Sequence, residues 1–409
     1  MAKNGPSEVF PAGAQSLLRT MNARAVLELI HRDGPIARST ISTATGLSKT
    51  TVGFALSSLV NAGVVTETGH STGRPGPAAT LYEVRAGSGL SVGIDIGHDR
   101  VHAAIVDLSG EILARTQATP KRRLAGLVSQ LGELVDQLCA GQQTTADRLV
   151  QIVVGVPAVV APDGETLSLG DSLPHNGEGF VRTVRTRFTT PVRFENDVNL
   201  AVLGERARGH GREVDDFVFL SLGTGLGVGI VLGGKLYRGV SGAAGEIGYL
   251  PSDDPNLPPT PPLQRAMIEA SLSGPDVVTE AVKLGLPDRL TGREVFNLAR
   301  DRDPRAIQVV ETIAYRIAYV LACVTAVLDP GLVVLGGGVG LNADLLLEPV
   351  GRHLRLLSPF DPRIESSRCG SDAVLYGATS LAAEQARDSV FAAASAENTD
   401  SSNRGSSIA

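Results

Sequence analysis

The sequence predicts an α/β chain: a small, mostly helical head followed by a large body of two similar lobes. Three observations carry that expectation. From Leu90 onward, strand-like apolar runs alternate with helical patterns, which is the signature of α/β layering. Two strands, in SVGIDIGHD and FLSLGTGLG, each end in a glycine-rich turn and start a second strand, about 130 residues apart. Ahead of them, residues 16–88 carry helix-period stripes and then a glycine- and proline-rich hairpin. A chain of 409 residues has room for all of this, since one domain typically takes ~100–200 residues.

The head is read first. Asn22 is expected to cap a helix through ARAVLELIHR, with Ala25, Val26, Leu27 and Ile30 on its apolar face, and Asp33-Gly34-Pro35 to stop it. A short second helix lies in ARSTISTATG and ends at Gly46. After Leu47, Ser48 is placed to cap a third helix, whose stripe Val52, Ala55, Leu56 and Leu59 faces inward. The tight Gly46-Leu47 connection sets the third helix steeply against the second, as in a helix-turn-helix. Ser48, Lys49, Thr50, Thr51, Gly53 and Ser57 are then the residues offered to DNA, being short, polar or cationic at a helix N-terminus. Phe54 is expected to pack against a neighbouring helix or the hairpin, with contact to a thymine methyl as the alternative. The strands VVTETG and ATLYEVR flank the tip HSTGRPGP and form a wing, with Arg74 on the tip to meet a phosphate or the minor groove. Charge agrees: residues 1–85 hold eight Lys and Arg against five Asp and Glu, whereas the remainder holds 29 against 38, within a chain of net charge -6. One end is suited to nucleic acid.

In the body, GIDIG and SLGTGLG are strand-to-turn units whose backbone N–H groups can hold a phosphate, and LGGGV after Asp329-Pro330 is a third glycine-rich turn. Glu195-Asn196-Asp197 follows a strand. Asp197 is a candidate general base for a substrate hydroxyl, and Asn196 can hold neighbouring hydroxyls through both ends of its amide. Glu246, in SGAAGEIGYL, is a second hydroxyl acceptor among glycines that permit close approach. A polyol ligand suits such a set.

Other classes are set aside. No apolar run reaches eighteen residues, so no membrane span is expected, and MAKNGPSEVFPAGAQ lacks the apolar core of a signal peptide. Cys139, Cys323 and Cys369 lie too far apart for a disulfide framework or a zinc cluster. The expected location is cytoplasmic, with no membrane partner. Residues 1–15 are expected to be flexible, and 384–409, ending in a Ser- and Asn-rich stretch, disordered.

Together these residues resemble the ROK family of repressors, open reading frames and kinases, over about residues 18–382. MNARAVLELIHRDGPI, ATGLSKTTVGFALSSLVNAGVV and STGRP look like the winged helix-turn-helix of its xylose-repressor-like regulators. GIDIG resembles the first phosphate motif, ENDVN the catalytic motif, GTGLGVGI with GAAGEIGY the second phosphate and sugar stretch, and DPGLVVLGGGV the adenosine side. The resemblance implies a winged helix-turn-helix at 16–88 and a two-lobed, actin-like (ribonuclease-H-like) sugar-kinase fold at 89–383, with lobes at about 89–200 and 201–383. It implies sugar contacts from Asn196, Asp197, Glu246, Tyr249 and Glu269. It places Asp95, Gly97, Thr224 and Gly225 around phosphate, and Gly337 and Gly338 on the nucleotide side. Asp197 is the catalytic base if the chain is a kinase.

Three departures from the family pattern stand out. The first phosphate loop reads Asp95-Ile96-Gly97-His98-Asp99 where family kinases carry DxGGT, and a carboxylate facing ATP phosphates repels them. Tyr249 stands where the family has a sugar- and zinc-binding His. The zinc cluster is replaced by PSDDPNLPPTPPLQRAMIEASLSG, which has none of its three Cys. The expectation is a DNA-binding regulator, active as a homodimer or homotetramer on a palindromic operator and modulated by a sugar or sugar phosphate. No cofactor is required and no structural zinc is bound. The alternative is a sugar kinase that kept its DNA-binding module, using ATP and Mg²⁺.

Overall fold

The computed structural model describes residues 12–70, 79–170, 172–250, 268 and 272–405. The head comprises α1 (Ala12–Asp33), β1 (Ile36–Ala37), α2 (Arg38–Thr45), α3 (Lys49–Asn61), β2 (Val65–His70) and β3 (Thr80–Val84). Its strands form a small sheet in the order β1-β3-β2. Ser48 caps α3, its Oγ accepting from the Thr51 amide at 3.1 Å. Gly46 takes the left-handed conformation (φ 70°) that ends α2, a position glycine occupies without strain. Asn22 does not start a helix: α1 is already formed ten residues earlier, and Ala23, Val26, Leu27 and Ile30 are its buried face. A residue with cap chemistry caps only where the preceding chain leaves the helix. Phe54 is a second departure. It is 72 % exposed rather than packed.

The first lobe follows: β4 (Leu90–Ile96), β5 (Val101–Asp107), β6 (Ile112–Ala118), α4 (Leu124–Gly141), β7 (Gln151–Val156), the short pair β8 (Val159–Val160) and β9 (Leu167–Ser168), α5 (Phe180–Arg187), β10 (Val192–Asn196) and α6 (Asp197–Arg208). The second has β11 (Phe217–Leu222), β12 (Leu226–Leu232), β13 (Lys235–Leu236), α7 (Gly274–Lys283), α8 (Gly292–Arg300), α9 (Pro304–Leu328), β14 (Leu332–Gly336), α10 (Gly337–Gly340), α11 (Ala343–Leu357) and β15 (Arg363–Ser366). The last helix is α12 (Ala373–Gly405).

The two main sheets have the same topology. One runs β6-β5-β4-β7-β10 and the other β13-β12-β11-β14-β15. In each, an antiparallel three-strand meander is extended by two parallel strands. The central strands are buried on both faces, hence the near-continuous Val and Ile of QIVVGV and LVVLG. On the outer side of the first sheet, α4 and α5 enclose a core with Leu131, Val135 and Phe180. On the outer side of the second, α7, α8, α9 and α11 enclose Phe296, Ile313, Ile317 and Leu346.

Helix α9 is long and apolar enough to cross a membrane by length and composition. Its apolar stripe, including Val309, Ile313, Ile317 and Leu321, is instead the core of the second lobe, at 0 % exposure. The helix also carries Arg305, Glu311 and Arg316, so it holds no uninterrupted apolar run of that length.

Two further expectations change. A lobe boundary at 200/201 would cut α6, and α6 and α12 together form the layer between the sheets. Leu200 packs with Val153, Ala378, Leu381 and Ala382 on the first-lobe side, while Ala201 and Val202 meet Phe217, Phe219 and Val231 on the other. The tail does not become disordered at 384. Helix α12 continues, and Ala386 (0 % exposed) and Phe391 (8 %) are buried in the head's own core beside Val26, Ile30 and Leu59. Apolar residues only two or three turns before a polar stretch were enough to carry the helix on.

Candidate functional site

Strand β10 ends where α6 begins, and that junction sets Asn196 and Asp197 at the C-terminal edge of the first sheet. A cleft of about 430 Å³ opens there between the lobes. Gly97, Asn196, Asp197, Thr224, Gly225, Glu246 and Tyr249 all line it. Gly97 closes the β4–β5 turn, its amide donating to the Arg100 carbonyl at 2.9 Å. The β11–β12 turn is held by the Gly223 amide on the Gly225 carbonyl at 3.0 Å. Thr224 and Gly225 therefore face the cleft from the second lobe. Glu246 and Tyr249 bracket a single turn, Ile247–Tyr249, next to two glycines that cannot be replaced. Gly242 (φ 88°) would drive a Cβ into the Val160 carbonyl of the first lobe, and Gly245 (φ 93°) into that of Val228.

Not every expected residue lines the cleft. Asp95, next to last in β4, is not part of the lining. Gly337 and Gly338 open α10 outside the lining; Gly337 (φ 75°) packs where a Cβ would strike Leu222, and Gly338 has open space around it. Glu269 and the wing residue Arg74 lie outside the described residues, as does the proline-rich stretch 251–262. Asn196, which lines the cleft, also has a structural use. Its Oδ1 caps α6 by accepting from the Asn199 amide at 3.0 Å, and its Nδ2 donates to the Ala158 carbonyl at 3.2 Å. Both ends of the amide serve to fix the junction, so Asn196 positions Asp197. Asp99 does not face the cleft: its side chain is 90 % exposed, 3.9 Å from the Nε2 of His98, which does line the cleft.

Burial governs the electrostatics. It pushes the Asp197 carboxyl up to about 6, against hydrogen bonds from its own amide and that of Val198, the latter at 2.8 Å. Asp95 rises further, to about 7, through burial first and then the negative charges of Asp197 and Asp372. A carboxyl near 6 is well matched to exchange a proton with a hydroxyl at neutral pH. Lys121 and Arg122, from the β6–α4 connection, supply positive charge on the rim. The run KRR at 121–123 was visible in the sequence, but only the fold brings its first two residues to the cleft.

Sequence reasoning also left Glu195 without a role. It is 2 % exposed and ties the lobes together. One of its oxygens accepts from Arg238 Nε and Nη2 at 2.8 and 2.6 Å, and from Arg193 at 3.4 Å. Its other oxygen accepts from Asn199 at 3.1 Å. Among the described residues, no group of three or more His, Cys, Asp or Glu is arranged to hold a metal ion. Burial raises the thiols of Cys139 and Cys369 to about 11 and about 12.

Residues 22–66 match the sequence model of winged helix-turn-helix DNA-binding domains. A xylose repressor of Caldicellulosiruptor bescii is 26 % identical over 388 residues, covering 90 % of this chain and 97 % of the repressor. A glucokinase of Streptomyces coelicolor is 27 % identical over 316 residues, 72 % of this chain and 98 % of the kinase. A ROK family transcriptional regulator, a homologue of the E. coli MLC protein, shares the fold with a TM-score of 0.78 at 22 % identity, over 92 % of this chain and 98 % of its own. A ROK glucokinase from Streptomyces griseus, crystallised with glucose and AMPPNP, superposes with a TM-score of 0.61 at 28 % identity, over 72 % of this chain and 99 % of its own. The ROK sequence model itself spans residues 91–385, and a match over so much of the chain, on two lobes of this topology, means that the chain belongs to the ROK family.

Proposed function

We propose that this chain is a transcriptional regulator that binds a palindromic operator as a homodimer and releases or tightens it when a sugar or sugar phosphate enters the interlobe cleft. One observation carries the reading: α12 physically joins cleft and head. Helix α6 starts at Asp197 and packs along α12, whose middle turns supply Ala386 and Phe391 to the head's core. The Arg387 guanidinium, buried and lowered to about 10 by that burial, donates to the Leu108 carbonyl at 2.6 Å. Arg24 on α1 pairs with Asp388. Closure of the lobes about α6 and α12 would then turn the head. In a dimer this changes the spacing of the two recognition helices against half-sites one helical turn apart, and a coupling of ~1–3 kcal/mol suffices for a graded response.

The likeness to a xylose repressor and to a ROK family transcriptional regulator supports the same reading. The test is selection of bound duplexes from a random pool, then a panel of hexoses, pentoses, amino sugars and their phosphates scored for a change in operator affinity. The expected result is one responsive ligand class, with Asp197→Asn losing the response but keeping DNA binding. No retained duplex would sink the proposal.

A second reading, ATP-dependent phosphorylation of a sugar hydroxyl, is favoured by the raised carboxyl of Asp197. Asp95 and Asp197 are an uncompensated acidic pair that Mg²⁺ would relieve, and the turns at Gly97 and Thr224–Gly225 would hold phosphate oxygens; the metal would supply charge neutralisation. Asp197 would accept the hydroxyl proton, held in place by Asn196 and the Val198 amide. Sugar-dependent ATP turnover, abolished in Asp197→Asn, would establish this reading over the first.

A further inference from the structure

We propose that Phe54 is a sequence-reading residue of α3 that contacts thymine methyl groups in the major groove. The inference rests on the DNA-binding reading above and adds which base the helix recognises. Among the described residues Phe54 is the most exposed phenylalanine, at 72 %, while the next, Phe360, is at 40 %. It stands on the outward face of α3, opposite the buried stripe Val52, Ala55, Leu56 and Leu59. Its neighbours one turn away on that face, Thr50, Ser57 and Ser58, are short and polar. The ring therefore projects beyond them and is the first side chain to reach the floor of a groove that α3 enters.

The helix is held firmly in that presentation. Ser48 caps its start. Arg38 of α2 donates from Nε to the Lys49 carbonyl at 3.0 Å, and a Cβ at position 53 would strike the same guanidinium, so Gly53 permits the close approach of the two helices. The occupant is identified by chemistry. The head carries a net charge of +3 against -9 for the rest of the chain, which favours a polyanion as the head's partner. A phenyl ring has no hydrogen bond to offer, and thymine is the base that presents a methyl group in the major groove.

The test uses the full-length protein and the duplex recovered by selection. Each thymine of one half-site is replaced in turn by deoxyuridine, which removes only the methyl group. For the wild type, one or two positions should weaken binding roughly 3- to 5-fold, the effect of burying about one methyl. Phe54→Ala should bind the thymine duplex more weakly by a similar factor and show no difference between thymine and deoxyuridine. Phe54→Leu, which keeps an apolar tip, should retain part of it. Thermal unfolding of both variants should match the wild type, since the position is exposed. If no deoxyuridine position affects the wild type, or if Phe54→Ala loses equally on both duplexes, Phe54 does not read the methyl even though DNA is bound. If no duplex is recovered at all, the DNA-binding reading fails and this one with it.

Discussion

Gly204 of α6 and Gly377 of α12 mark the point where the two central helices touch: a Cβ on Gly204 would stand 3.2 Å from the Gly377 backbone nitrogen and would collide with the Ala373 carbonyl, while one on Gly377 would collide with the carbonyl of Leu200. Backbone has no rotamer with which to yield. Gly377→Ala should lower stability by roughly 1–3 kcal/mol or more, the usual penalty of overpacking, read by urea unfolding. Because the helices run between the sheets, the same change should weaken the response of operator affinity to sugar.

The middle of α12 is the next link. Phe391 is buried in the head at 8 % exposure. Phe391→Ala should destabilise the head by about 3 kcal/mol. Hydrogen exchange should show the added opening in α1 and α3 while β4, β7 and β14 keep their protection. Equal loss of protection throughout would mean that head and body unfold as one unit.

The two raised carboxyls make a pH prediction. Unfolded, Asp95 and Asp197 would titrate near 3.9; folded, they titrate near about 7 and about 6. Between these values the folded chain holds protons that the unfolded chain has released, so their contribution to stability falls as pH rises and is gone above about 7. Relative to the wild type, Asp95→Asn should be more stable at pH 8, by an amount on the order of 1–3 kcal/mol. At pH 4.5 the difference should nearly vanish. Denaturation midpoints at both pH values check the sign.

Glu195 and Arg238 join the lobes behind the cleft, carboxylate and guanidinium 2.6 Å apart. Glu195→Gln keeps the shape but leaves two guanidiniums without their shared anion. Glu195 is buried and Arg238 is about one-third exposed, so the loss should be roughly 1–3 kcal/mol, below that of a fully buried pair. Small-angle scattering without ligand should show a wider interlobe distance in the variant. An unchanged profile would remove the pair from any account of closure.

The stretch from Leu250 to Ser273 contains neither Cys nor His, and a closed tetrahedral zinc site draws on those residues. Elemental analysis should find well under one zinc per chain, and a chelator should leave the unfolding temperature unchanged. One tightly held zinc per chain would contradict this.

The sequence by itself determined the parts of this protein that are local. The helix-turn-helix was legible because Ser48, Gly46 and the stripe from Val52 to Leu59 act within a few residues of one another. The two-lobed body was legible because GIDIG and SLGTGLG repeat one strand-turn-strand unit, and Asp197, Glu246 and Thr224, which line the cleft, each sit at a turn that carries its own signal. The tertiary structure decided what depends on partners distant in the chain. Asn196 was read as a ligand contact, and the structure adds that its amide also bonds Asn199 and Ala158. Phe54 looked like core, but nothing among the described residues covers it. Residues 384–409 looked like a loose tail, yet helix α12 runs on through them to Gly405, and the head, more than 300 residues earlier in the chain, buries its Phe391. Side-chain type and spacing report local conformation; hydrogen-bond partners and burial are set by what long-range folding brings alongside, and this chain's link between cleft and head is of that second kind.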